Sequence, residues 1–336
     1  MRLYKLQFLS PLHVDSRGTG EPAVAEEMVH SDTLSAALCL SWASIQPETD
    51  DFFFLQPPFR VSSAFPYMED ILLFPTPAWR IWKDLDTRHR KRIKSVRWIS
   101  RLMFQEVLAG REVSVEEVDV LHCGVALFKR EVDQKPHLRE LRPWVMEERQ
   151  RVSVDRLGIS QEGGLFFFGL QVFAPQCGLY FLADLGSFPQ KNFSAALGFL
   201  GDSGIGADRN SGLGHFRIAS EETFKWNPSA KAQGALTLSL FNPGPADSLE
   251  DLTLSAAYGL TTRSGWIFGS TLGRPPIRVF SEGSYFSTRP EGRVVPMLDD
   301  TVRKRLGLQI GHSAPRDFRA LSLPCVESSY LKEKKT

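Results

Sequence analysis

Six glycines fall between Gly198 and Gly214, and the last four form two G-x-G pairs, Gly204/Gly206 and Gly212/Gly214, around a polar turn at 207–211. Glycine enters the positive-φ region without steric cost, so such a run can turn its amides outward and let a second backbone come close. Successive turn amides form a concavity suited to an anion, and Arg209 adds a planar guanidinium matched to phosphate. Gly204, Ile205, Gly206, Arg209, Asn210, Ser211, Gly212, Gly214 and His215 are therefore candidates for contact with a phosphate backbone. A tight, ordered turn with no ligand meets the same spacing, and the string alone does not separate the two. Helical spacing upstream and alternation from His215 to Ile218 give the order helix, loop, strand. A dinucleotide fingerprint needs strand before and helix after, and a P-loop needs a lysine opening a helix, so neither is present.

A second candidate surface is the block from Arg88 to Arg101, which carries seven Lys or Arg and no acid. Arg88, Arg90, Lys91, Arg92, Lys94 and Arg97, with Trp98 among them, are what an RNA backbone site requires and equally what a solvated helix face looks like. The stretch from Glu21 to Asp70 has the opposite character, nine acids against the single Arg60, and is expected to face solvent or a basic protein. His13, just past the first strand, reads either as functional or as a hydrogen-bonded histidine at a strand end. Asp32 is the carboxylate most open to a catalytic reading. Its place in the first turn of a helix, behind Ser31 as N-cap, gives it a structural explanation instead.

The elements that must position these residues follow from periodicity. Residues 2–9 alternate as a strand, 31–45 carry a helical apolar stripe, and the runs around 59–67 and 71–79 are short strands punctuated by prolines. A polar insertion follows, then strands at 165–173 and near 179–185, a helix at 188–200, the glycine loop and a last strand. This is βαββαβ with an insertion in the middle. Strands are expected again in the runs 235–241, 252–265, 266–270 and 278–286, giving a smaller α+β domain at 225–326 and a charged tail at 327–336.

The 336 residues suffice for about two domains at ~100 to 200 residues each, with no apolar run near the ~18 residues of a membrane span. The N-terminus lacks the pattern of a signal peptide, so a cytoplasmic location is expected. Four scattered cysteines without C-x-x-C read as reduced core thiols, and no metal or cofactor site is expected. No Asp-Asp pair stands on a strand-and-glycine hairpin, as a two-metal polymerase centre would require.

Taken in order, SPLH after the first strand, HSDTLSAAL, SSAFPY, LLFPTP, SVDR, the double glycine loop and H-x-x-x-x-D-F-x-A-L-x-L-P resemble the subunit-4 RAMP protein of Csm-type (type III-A) CRISPR effector complexes. The likeness spans nearly the whole chain. Thr76 stands where the family's P-x-P string commonly carries a lysine, which puts a phosphate contact there in doubt. The resemblance implies an α+β protein with two ferredoxin-like, RNA-recognition-like domains, the first over 1–224 with an inserted thumb at about 75–163. It implies a non-catalytic RNA-binding subunit in antiviral defence. Such a subunit holds the 5′ handle of the crRNA, joins the large polymerase-like signature subunit to the first backbone RAMP subunit, and distorts the guide with its thumb. The alternative is a metal-independent RAMP endoribonuclease, with His13, His30 or His215 as general base.

Overall fold

The computed structural model describes residues 1–15, 23–83, 86–154, 160–267, 272–298, 301, 304 and 314–327. The alternating segment at the N-terminus forms β1 (Arg2–Phe8). Tyr4 and Leu6 enter a core cluster beneath the helices, while Leu3 enters a second cluster on the opposite face. The sequence shows one apolar face; the second is buried because the C-terminal part of the chain covers it.

Helix α1 (Ser31–Ile45) follows where its apolar stripe places it, and the sheet builds around β1 from β2 (Phe65–Met68), β9 (Cys177–Asp184) and β10 (Phe216–Thr223). The strand order is β10-β1-β9-β2, with every pair antiparallel. Helix α4 (Gln190–Ser203) connects β9 to β10. Leu34 and Leu38 of α1 and Phe193, Leu197 and Leu200 of α4 cover the same sheet face.

Beyond β2 the sheet continues through β3 (Ile71–Pro75), β4 (Trp98–Ser100), β6 (Val125–Phe128) and β5 (Val118–Val120). Part of the inserted segment thus widens the sheet, with helices α2 (Thr87–Lys94) and α3 (Arg101–Leu108) beside it. The rest forms a long antiparallel hairpin of β7 (Trp144–Val154) and β8 (Ser160–Phe173), in register from Trp144↔Phe173 to Val154↔Ser160 with one shift. This hairpin is tied to the end of β1 by reciprocal backbone bonds between Leu12 and Gln171 at 2.9 and 2.8 Å.

The C-terminal part is built of small sheets. Strand β11 (Gly234–Thr237) lies between β14 (Tyr285–Phe286) and β17 (Ser322–Cys325), β12 (Leu260–Arg263) pairs with β13 (Ile277–Phe280), and β15 (Gly292–Pro296) pairs with β16 (Pro315–Arg319). Leu236, Leu238, Tyr285 and Leu323 share one cluster with Phe65, Tyr180 and Leu182. Residues 249–254, partly inside a run read as strand, form the short helix α5 (Leu249–Leu254), capped by Ser248, whose hydroxyl accepts the Asp251 N–H at 3.2 Å. Asp299, Asp300, the basic positions 303 and 305, most of the 266–270 run and the tail beyond 327 lie outside the described residues. No helix among the described residues is long and apolar enough to cross a membrane.

The two parts are fastened at the start of α1. Ser31 does not cap the helix: His30 holds that position, and the Ser31 hydroxyl accepts the Leu240 N–H at 3.0 Å. The Ser31 N–H donates to Ser63 Oγ at 2.9 Å, and Ser63 N–H to the Leu238 carbonyl at 2.9 Å. Asp32, fully buried, pairs with Arg263 at 3.1 Å and lies 3.9 Å from Arg316, whose Nη1 also donates to the Asp32 carbonyl. Burial pushes the Asp32 carboxyl up, yet Arg263 and Arg316 outweigh it and hold it below the ordinary carboxylate value.

Removing one partner of a buried pair leaves uncompensated charge, so Asp32→Ala is expected to cost about 3–5 kcal/mol in urea unfolding. A native pKa below the unfolded one means that this contribution is complete above the ordinary carboxylate pKa and is lost as pH falls through the depressed value. Wild type is therefore expected to lose stability in that acid window more steeply than the variant. Equal stability of the two at neutral pH would contradict the role assigned to Asp32.

Candidate nucleic-acid interface

The loop between α4 and β10 begins where Gly204 ends the helix at φ +79°. Gly206, Gly212 and Gly214 also lie at positive φ, at +95°, +81° and +72°. Their surroundings differ. A Cβ at Gly204 would stand 2.6 Å from the Leu213 carbonyl oxygen, and at Gly206 or Gly214 it would overlap the carbonyl oxygen of His13 or Ile205. Around Gly212 nothing lies within 4 Å, so its requirement is the left-handed turn alone. Three glycines serve close backbone approach and one serves the turn.

The amides of this loop are largely committed within the chain. Ile205 N–H donates to Gly214 O at 3.0 Å, Ala207 to His13 O at 2.9 Å and Gly214 to Pro11 O at 2.9 Å. Ser211 and Gly212 N–H close the turn on Asp208 and Arg209, and His215 N–H donates to Ser10 Oγ at 3.0 Å. Among the described residues, the amides of Gly206, Asp208 and Asn210 have no main-chain partner. The anion-facing backbone is thus narrower than the glycine spacing alone indicates. Gly204, Ile205 and Gly214 are buried, whereas Asn210, Ser211 and Gly212 are exposed and Arg209 is half-buried at their edge.

His13 lies at the back of this loop, buried, with Nδ1 2.6 Å from the Gly169 carbonyl. Only a protonated Nδ1 can make that bond, which fixes the ring's donor. The ring centroid stands 4.2 Å from that of Phe168, and the Arg151 guanidinium lies 4.2 Å from the same phenyl centroid. Arg151 in turn pairs with Asp208 of the turn, while Leu213 packs with Phe168 and Leu170. The hairpin therefore touches the loop through a salt bridge and an apolar contact. Neither Arg151 nor Phe168 stood out in the sequence, because their partners are remote in the chain.

His30 is also buried and engaged, with Nδ1 2.8 Å from Glu282, which additionally accepts from the Ser63 hydroxyl. Burial pushes the Glu282 carboxyl up, and His30 with Ser63 pulls it below its ordinary value. His215 remains half-buried beside the loop.

The basic block stands elsewhere. Helix α2 is capped by Asp86, which accepts the His89 N–H at 3.0 Å, and it exposes Arg90, Lys91 and Lys94. Arg92 lies 3.7 Å from Asp119, and Arg97 pairs with Glu27 at 2.7 Å. The Arg88 side chain lies outside the described residues. Between β10, next to the glycine loop, and β4, next to α2, the sheet takes five strand steps, roughly 24 Å at ~4.8 Å per step. The two surfaces are not one compact site. The acidic stretch is partly neutralised within the chain, Glu27 by Arg97 and Asp70 by Lys135.

Comparison with known proteins finds similar sequences and folds. Residues 230–311 match the family model described as the CRISPR Csm4 C-terminal domain. The chain is 26% identical over 247 residues to the curated "CRISPR system Cms protein Csm4" of Thermococcus onnurineus, covering 69% of this chain and 72% of that one. It is 25% identical over 250 residues to the protein of the same description from Mycobacterium tuberculosis, covering 70% and 72%. In fold it matches a chain of the crystal structure of the Csm3-Csm4 subcomplex in the type III-A CRISPR-Cas interference complex. That match has a TM-score of 0.68 at 16% identity, over 96% of this chain and 99% of the other. A chain of the Csm1-Csm4 cassette in complex with pppApA matches at 0.56 and 18% identity, over 96% and 97%. These similarities are to RAMP-type subunits of type III CRISPR complexes. Within that class the likeness is to Csm4 proteins.

The contrast between glycines gives a prediction. Gly206→Val drives a side chain into the His13 carbonyl at positive φ and is expected to lower the melting temperature strongly. Gly212→Val meets only backbone strain, about 1–2 kcal/mol, and should remain folded. Equal losses in calorimetry would contradict the distinction.

Proposed function

We propose that this subunit holds the 5′ handle of a crRNA on the turn at 206–212 and joins the large polymerase-like subunit to the backbone subunits, without catalysing a reaction. The observation that carries the reading is a turn made rigid by bonds within the chain, with the Gly206, Asp208 and Asn210 amides without a main-chain partner among the described residues and the half-buried Arg209 beside them. Such a turn is preorganised, and binding a phosphate there costs little ordering. Gly204, Ile205 and Gly214 act as its scaffold, and His13 supports it from behind. His215 provides a further position along the RNA path.

The strand order β10-β1-β9-β2 with α1 and α4 on one face supports a ferredoxin-like unit over 1–224, and we assign the C-terminal part over 225–326 to a second, reduced unit of that kind. The hairpin β7–β8 is the natural thumb, since it forms a two-stranded sheet of its own within the inserted part and contacts the loop. The linking role is supported by relatives solved with Csm3 in one case and with Csm1 in another. A cytoplasmic location fits a guide-binding subunit.

The nuclease reading requires an imidazole within reach of a ribose 2′-OH. His13 and His30 are buried and hydrogen-bonded, which leaves His215 as the remaining candidate of the three. The purified chain is expected to leave repeat RNA intact in chelator-containing buffer. Cleavage abolished by His215→Ala would overturn the non-catalytic reading. In a salt series of guide-handle binding, Arg209→Ala is expected to lower affinity and reduce the slope of log K against log salt by ~0.7, one single-stranded phosphate contact. An unchanged slope, with an Arg90/Lys91/Lys94 triple alanine variant losing binding instead, would move the RNA site to α2.

A further inference from the structure

Beside the glycine loop runs a cleft of about 580 Å³, lined by residues of α1, the end of α4, and Gly265, Trp266 and Arg274. Its size falls in the range of about 300–1,000 Å³ that holds small ligands. Among the described residues, three guanidiniums line it, from Arg209, Arg274 and Arg316, against the carboxylate of Asp15. The excess of positive charge extends into its wall, where Arg263 and Arg316 share the one buried carboxylate of Asp32.

Trp266 stands at the rim with 57% of its surface exposed. Its backbone is paired with Gly273 through a bridge, and the neighbouring Gly265 carbonyl accepts the Arg274 N–H at 2.7 Å, so the indole is presented from paired backbone. Arg274 places Nη2 on the Ser264 carbonyl at 2.6 Å while its Nε is buried with no hydrogen-bond partner. An exposed indole lining the same cleft as these guanidiniums matches the two halves of a nucleotide, a flat base and a phosphate.

We infer that this cleft seats one unpaired nucleotide, its base stacked on Trp266 and its phosphate held between Arg274, Arg316 and the rim of the glycine loop. This rests on the RNA-binding reading above and adds to it a base-contacting position on the C-terminal part of the chain. Stacking on an indole tolerates any base, so the seat selects for an unstacked nucleotide rather than for a sequence.

The test is a cycle of variants and RNA probes with the full-length chain. Single-stranded RNA of the guide handle, and a series with one abasic position moved along it, is titrated against wild type, Trp266→Ala and Trp266→Phe. Wild type is expected to lose about 5- to 100-fold in affinity at one abasic position. Trp266→Ala should lose a similar factor on intact RNA and show no further loss at that position, and Trp266→Phe should restore most of the binding. A parallel titration with AMP distinguishes a free nucleotide from a residue of an RNA chain: binding of AMP that depends on Trp266, with RNA unaffected, assigns the seat to the former. Trp266→Ala indistinguishable from wild type on every probe overturns the inference, and if Arg209→Ala still weakens RNA binding in that case, the loop reading stands without it. Wild type that binds no RNA and no AMP overturns both.

Discussion

The arrangement depends on a buried carboxylate. Asp32 opens α1 between two guanidiniums, Arg263 and Arg316, contributed by the C-terminal part of the chain. Neither cation is tolerated in a buried setting without it, and the carboxylate is not tolerated without them. Around this pair the hydroxyls of Ser31 and Ser63 bridge backbone groups that no regular ladder serves, and Glu282 closes on His30. The C-terminal strands are thereby fastened to α1. Arg316 of this cluster also lines the cleft next to the glycine loop.

The loop is restrained from two further directions. Pro11 and His13 accept its amides from the side of β1, and the hairpin reaches it through Arg151–Asp208 and Phe168–Leu213. A displacement of the hairpin is thus coupled to the turn at 206–212, since His13 contacts both the Gly169 carbonyl and the Phe168 ring. Rigid loops of this sort bind by preorganised geometry, with the ordering cost met during folding.

Local periodicity made much of this architecture legible. β1, α1 and α4 were readable because each is regular over several turns or alternations and its neighbours agree with it. The last three residues of α5, 252–254, were misread because LTLSAAY alternates like a strand, although Ser248 with Asp251 three positions later carries a helix-start signal. The sheet extension by β4, β6 and β5 was hidden in strands of three or four residues, too short to show a period. The loop was readable as a turn, but its amide partners were not. Their acceptors lie at Pro11 and His13, and no local pattern encodes a contact across that much chain. The same reason conceals Ser31, whose hydroxyl looks like a helix cap and instead holds Leu240. Trp266, Arg274 and Arg316 gave no joint signal, because only the folded C-terminal part brings them to one cleft.

The central claim is that RNA runs over the glycine loop rather than over the basic helix at the other end of the sheet. Photocrosslinking of guide RNA to the assembled complex, with crosslinked peptides of this subunit mapped by mass spectrometry, tests it most directly. The account predicts crosslinks within 206–215 as the dominant adducts of this chain. Adducts confined to 87–101, with the loop unmodified, would contradict it.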